Sequence, residues 1–381
     1  MMLVLVATGC VPVLRGTGDL GIVVERATGR VQVVETTGRS VLGTVEGLGD
    51  LSHAAAVFSR DGRHAFIFGR DGGLTKVDLL TGTIAARVVQ AGNSIGGAIS
   101  DDGSLVAVSN YEPGGIKVFD TATLRQVADI PAVGADGRPS KVVGLGEASG
   151  KTFIFTLYDA GEIWIADLET PDRPHIRKIT GIGRLPYDGL VTGDGHFYIA
   201  GLFGEDGLAL VDLWSPEKTA RRILDRYGRG EQKLPVYKMP HLRNLSTAGR
   251  LLFLPAVGQH VVLAADTGTW TEAGRVAVLG QPVFAVARPG GRQVWVNFAH
   301  PDNDAVQVID VPTMTVIDTL RPGKAILHME FTPRGEQVWI SARDSDEVVI
   351  YDAETRKPVQ RLPADKPSGI FMSTRAARMG L

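Results

Sequence analysis

Two histidines and a set of cationic, amide and phenolic side chains give this chain its means to do chemistry. His53 follows Ser52 and precedes three alanines; His241 sits in Met239-Pro240-His241-Leu242. An imidazole ligates a metal or moves a proton near neutral pH. Arg26, Arg70 and Arg343 are candidate forks for carboxylates, and Lys141 is a point charge for the same groups. Asn93, Tyr111, Tyr187 and Gln281 are candidate hydrogen-bonding and stacking groups. Each also has a plainer reading, since a loop arginine is by default a solvated charge. His64, His175, His196 and His260 fall at turns or outer strands and are expected at the surface. The one cysteine, Cys10, leaves no intrachain disulfide, no cysteine cluster for zinc or iron–sulfur, and no redox pair.

Residues so far apart in sequence need a repeating scaffold to meet. Ser59-Arg60-Asp61-Gly62 leads to an apolar run and then Thr75-Lys76-Val77-Asp78; Ser100-Asp101-Asp102-Gly103 leads to Ile116 through Asp120. The pattern returns at Asp167, Asp212, Asp266, Asp310 and Asp352, with a partial unit ending at Glu35, and these anchors lie 42 to 54 residues apart. That period, with short strands and turn residues, marks propeller blades. In the second unit the strands are expected near 53–59, 64–69, 74–79 and 84–89, separated by Asp-Gly or Thr-Gly turns. The fold class is therefore all-β, an eight-bladed β-propeller of four-stranded blades, forming a single domain over residues 11–381. The first unit lacks an innermost strand, and residues 369–374 are a spare one. They are expected to pair with residues 20–25 and close the ring. Only 216–227 shows a helical period. The anchor aspartates are expected to hold turns.

In such a blade, the loop entering the innermost strand and the loop between the second and third strands share a face. That face gathers His53, Asn93, Lys141, Tyr187, His241, Gln281 and His328 from entry loops. The other loops add Arg26, Arg70, Tyr111, Tyr158, Phe298 and Arg343. A mouth of this kind suits a flat, aromatic, multiply anionic ligand such as a porphyrin-type macrocycle. Lys plus Arg total 40 against 42 Asp plus Glu, so no basic excess argues for nucleic acid. With 44% hydrophobic and 22% charged residues, the composition is that of a globular protein. No run of 18 apolar residues exists to cross a membrane as a helix. Residues 215–240 are the longest insertion, basic on balance, and are expected to form a lid on the ligand side.

The stretch from Ser52-His53 to Gly69-Arg70-Asp71 resembles the heme d1 domain of dissimilatory heme nitrite reductase. Val23-Val24-Glu25-Arg26 and Met239-Pro240-His241-Leu242-Arg243 resemble it too, and the likeness runs from residue 19 to 375. It implies an eight-bladed propeller, His53 as proximal iron ligand, Arg70 on a ligand carboxylate, and His241 at one of two distal histidine positions. The other distal position falls near Gln281-Pro282, where there is no histidine, and Cys-x-x-Cys-His is absent. Those departures disfavour nitrite reduction and point to a periplasmic heme d1 biosynthesis member of the family, serving denitrification. The ligand implied is heme d1 or dihydro-heme d1, an iron tetrapyrrole, as substrate or product. Two roles stay open. One is an oxidoreductase or assembly factor in which His53 holds iron and His241 assists proton removal. The other is a carrier passing the tetrapyrrole to partners, other heme d1 assembly proteins and nitrite reductase among them. Finally, an apolar Met1–Val6 run before Ala7-Thr8-Gly9-Cys10 resembles a bacterial lipoprotein signal remnant over residues 1–10. It implies a periplasmic protein lipid-anchored through Cys10. The alternative is a ragged N-terminus, since no Lys or Arg precedes the run.

Overall fold

Short strands rich in β-branched and aromatic residues, cut by tight turns, pair with their sequence neighbours. The computed structural model describes residues 15–215, 217–226 and 247–374, and forms eight four-stranded sheets. The second blade runs outward from the channel as Ala55–Phe58, His64–Phe68, Gly73–Asp78 and Thr83–Val89. The chain is an eight-bladed β-propeller. An apolar cluster fills each blade-to-blade interface, from Leu20, Val31, Ala65 and Ile67 between the first two blades to Val23, Ile350 and Ile370 at the seam. Central strands are covered on both faces, so they read as unbroken apolar runs; Phe153 through Leu157 are all buried. The anchor aspartates hold the turns. Asp78 Oδ1 accepts from the Leu80 and Thr81 N–H groups at 2.9 and 3.3 Å, and Asp352 Oδ1 from the Thr355 N–H at 2.7 Å.

The C-terminal segment closes the ring. Pro367–Met372 pairs antiparallel with Leu20–Glu25, setting Met372 opposite Gly21 and Ile370 opposite Val23. The strand starts two residues earlier than the sequence pattern suggests. Gly21 permits the close approach: a Cβ there would lie 2.5 Å from Met372 Sδ and 2.8 Å from the Phe371 carbonyl oxygen. A buried carboxylate latches the seam. Glu25 accepts from the Asp365 N–H at 2.7 Å, from Gln32 Nε2 at 3.0 Å and from Arg30 Nε, while Gln32 Nε2 also donates to the Pro363 carbonyl at 2.9 Å.

Residues 216–227 hold no helix among the described residues; Ala220–Ile223 is the outer strand of the fifth blade, with Ile223 opposite Leu208. The apolar spacing of Ala220 and Ile223 mimics a helical period, but an outer edge strand has only to bury one end, and Ile223 is that end. Phe298 belongs to the core, where the second strand of the seventh blade ends. Cys10, His241 and most of 215–240 lie outside the described residues.

Candidate functional site

The inner strands position the site in rungs. In each of seven blades, the residue after the innermost strand donates its N–H to the start of the second strand; Ser59 to His64 at 2.9 Å and Thr332 to Gln337 at 3.0 Å are examples. Four residues before that bond stand Ala55, Gly96, Gly144, Asp188, Phe284, His328 and Gly369, and all seven line one cavity of about 340 Å³. Small residues leave room on one side; Asp188, Phe284 and His328 furnish the other. His53, Ser52, Arg26 and Tyr187 line the same cavity. Gly144 has φ of +55°, and a Cβ there would sit 2.8 Å from the Tyr198 hydroxyl, so that stretch of floor is backbone by necessity.

A chain of contacts runs round the mouth from this cavity. The Arg70 guanidinium stacks over Tyr111 at 5.5 Å, the Tyr111 hydroxyl bonds to that of Tyr187 at 3.3 Å, and the Tyr187 ring meets Tyr158 edge-on at 6.1 Å. Lys141 Nζ lies 5.6 Å from the Tyr158 ring centre. Burial raises the pKa of Tyr111, Tyr158 and Tyr187, so all three stay neutral phenols. The cations divide into two kinds. Lys141 is paired with Asp159 at 3.0 Å, and Arg343 with Asp344 at 2.7 Å. Arg26 and Arg70 have no ion pair among the described residues. Burial, then the nearby Arg343, holds Arg26 below its ordinary value, with Asp50 opposing. A half-buried arginine with no ion pair among the described residues makes a place for an anion.

Asn93 and Gln281 stand at the entries to the third and seventh innermost strands. Asn93 Oδ1 and Gln281 Oε1 are buried without a hydrogen-bond partner among the described residues. Such atoms await a donor from a ligand or water. His328, which its entry-loop position assigns to the mouth, and Asp188, which the sequence pattern does not single out, are both cavity residues. His328 Nδ1 accepts the Ile370 N–H at 3.2 Å, from the strand that closes the ring, and its ring packs between Phe284 and Phe371. A neutral His328 so held carries its hydrogen on Nε2, making it a donor rather than a metal ligand. Asp188 is 9% exposed and its Oδ1 accepts the Gly189 N–H at 2.9 Å. Among the described residues, no group of three or more His, Cys, Asp or Glu could hold a bare metal ion. One histidine suffices for a metal already held by a macrocycle.

On the far side, His64 and His196 are half-buried rather than free at the surface. Each faces an aspartate, and His196 stacks on Trp214 at 4.0 Å. A second cleft there uses Arg60 and Lys76 to bond backbone carbonyls, at 2.6 and 2.9 Å.

Known proteins share this architecture. The chain is 60% identical over 370 residues to Protein NirF of Stutzerimonas stutzeri, spanning 97% of this chain and 95% of that protein. It is 57% identical over 384 residues to Protein NirF of Pseudomonas aeruginosa, spanning 100% and 98%. Among solved structures, dihydro-heme d1 dehydrogenase NirN in complex with DHE superposes with a TM-score of 0.82 at 25% identity, over 98% of this chain and 79% of that one. The family model described as the cytochrome D1 heme domain matches residues 15–376, and the chain belongs to that family.

Proposed function

We propose that the protein is a periplasmic heme d1 biosynthesis protein that binds dihydro-heme d1 at the propeller mouth and takes part in its maturation. The observation carrying this reading is the cavity that gathers His53 with Arg26, a half-buried arginine with no ion pair among the described residues. The relatives named NirF and the superposition on NirN in complex with DHE support it.

The residues fit an iron tetrapyrrole. His53 would hold the iron, Arg26 and Arg70 the carboxylates, and Tyr111 and Tyr187 would supply an aromatic edge with neutral hydroxyl donors. Asn93 and Gln281 would offer amide N–H groups to the ligand's carboxylates. When bound, the macrocycle supplies an iron centre and a conjugated ring able to gain or lose electrons. Asp188 and His328 then stand on one rung as acceptor and donor, able to hold a proton or orient a rim oxygen. His241, outside the described residues, is proposed to assist proton removal. Anchoring at Cys10, and transfer to heme d1 assembly proteins or nitrite reductase, belong to the same reading.

The test is incubation of the purified protein with dihydro-heme d1 and an electron acceptor, followed by absorption. Conversion of the bound spectrum to that of heme d1 establishes an enzyme. Tight binding with an unchanged macrocycle establishes a carrier, and no binding removes the reading.

A further inference from the structure

Glu330 breaks the pattern of the innermost strands. Two residues beyond the cavity-lining rung, about 6.6 Å along a strand, the other described blades carry Val57, Ala98, Gly146, Leu190, Val286 and Phe371. The eighth blade carries Glu330 there. Its neighbours Met329 and Phe331 pack into the core between the seventh and eighth blades, so strand alternation puts Glu330 on the opposite face, two residues from the cavity-lining His328. Among the described residues its carboxyl has no hydrogen bond or ion pair. The strands packed against its own are Gln337–Ala342, Pro367–Met372, Pro282–Ala287 and Gln293–Phe298, and none bears an ionisable side chain. His328 is the one other such group on its strand; Glu147, Tyr187 and Asp188 stand on innermost strands elsewhere in the ring. Enclosure without a compensating partner pushes the Glu330 carboxyl up to about 8.

We propose that Glu330 is a proton-binding site linked to occupancy of the cavity, so that the tetrapyrrole is taken up with Glu330 neutral and is held less tightly once Glu330 ionises. The inference rests on the tetrapyrrole reading above. A flat ligand across the mouth removes water from the channel beneath it, which penalises a carboxylate more than a carboxylic acid. Carboxylates on the ligand add repulsion of the same sign. By linkage, the complex favours the protonated acid, and affinity must fall as pH rises through the range where Glu330 titrates. An uncharged residue at this rung, as in the other described blades, would hold the ligand without that limit.

The experiment is titration of dihydro-heme d1 into native protein, Glu330→Gln and Glu330→Leu between pH 6 and 9.5. Leu190 at the same rung shows that the second replacement suits the wall. Native affinity is expected to be level to about pH 7 and then to fall roughly tenfold by pH 9, with both variants level within about twofold. A flat native profile, or the same decline in both variants, overturns this inference while leaving the binding site standing. Absence of native binding at every pH removes the functional reading and this inference together.

Discussion

Arg26 and Arg70 differ from Lys141 and Arg343 in having no carboxylate partner among the described residues, and that difference orders their expected contributions. Arg70→Ala should weaken dihydro-heme d1 binding by about 1.5–3 kcal/mol, one charge-assisted contact. Lys141→Ala, whose charge already meets Asp159 at 3.0 Å, should change it by less than about 0.5 kcal/mol. Equilibrium titration of the two variants decides this, and a larger loss at Lys141 contradicts it. Glu330 gives a second, ligand-free expectation. Its folded pKa of about 8 stands above the ordinary 4.5, so between those values the folded state keeps a proton that the unfolded chain releases. Stability therefore falls as pH rises across that window and stays reduced above it. The melting temperature of Glu330→Gln relative to native should rise from pH 4 to pH 9; a constant gap would show that Glu330 titrates normally. His53, Arg26 and Tyr187 were legible in the sequence because loop position alone assigns them to the mouth. His328 is assigned to the mouth in the same way, but Asp188 is not, because pairing decides which way it faces. The register breaks between Pro186 and Gly189, and between Ile326 and Met329, interrupt the simple alternation a sequence reader would apply.

At the scale of elements, the closing strand carries most of the predictive weight. Removing residues 367–381 exposes the edge of Leu20–Glu25 and deletes Ile370 and Met372 from the seam core. The truncated chain should aggregate or fail to fold, and a soluble product with native melting would contradict the seam. Gly21→Val is a gentler probe. Its Cβ has no space beside Met372 Sδ, so a loss of ~1–3 kcal/mol is expected in denaturant unfolding. The spare strand was visible because eight units held one strand too few at one end and one too many at the other. Residues 216–227 were misread because four residues of edge strand cannot show a period of their own. The insertion at 215–240 remains an expectation: its protease cleavage should slow when tetrapyrrole is bound, and equal rates would dismiss a lid.

For the whole molecule, ring closure and ligand binding are one construction. The strand that seals the seam also delivers Ile370 N–H to His328 and sets Ser368, Gly369 and Phe371 along the cavity. The eight-bladed architecture could be read from the anchor spacing because each blade repeats the same turn chemistry. The cavity could not, because it arises from differences between blades at one rung. The most direct measurement is the absorption spectrum of dihydro-heme d1 at saturation with native protein and with His53→Ala. If His53 holds the iron, the alanine variant still binds through its arginines, but with shifted iron-sensitive bands that added imidazole restores. A native spectrum from His53→Ala at saturation would contradict the account and move the search for the ligand to His241.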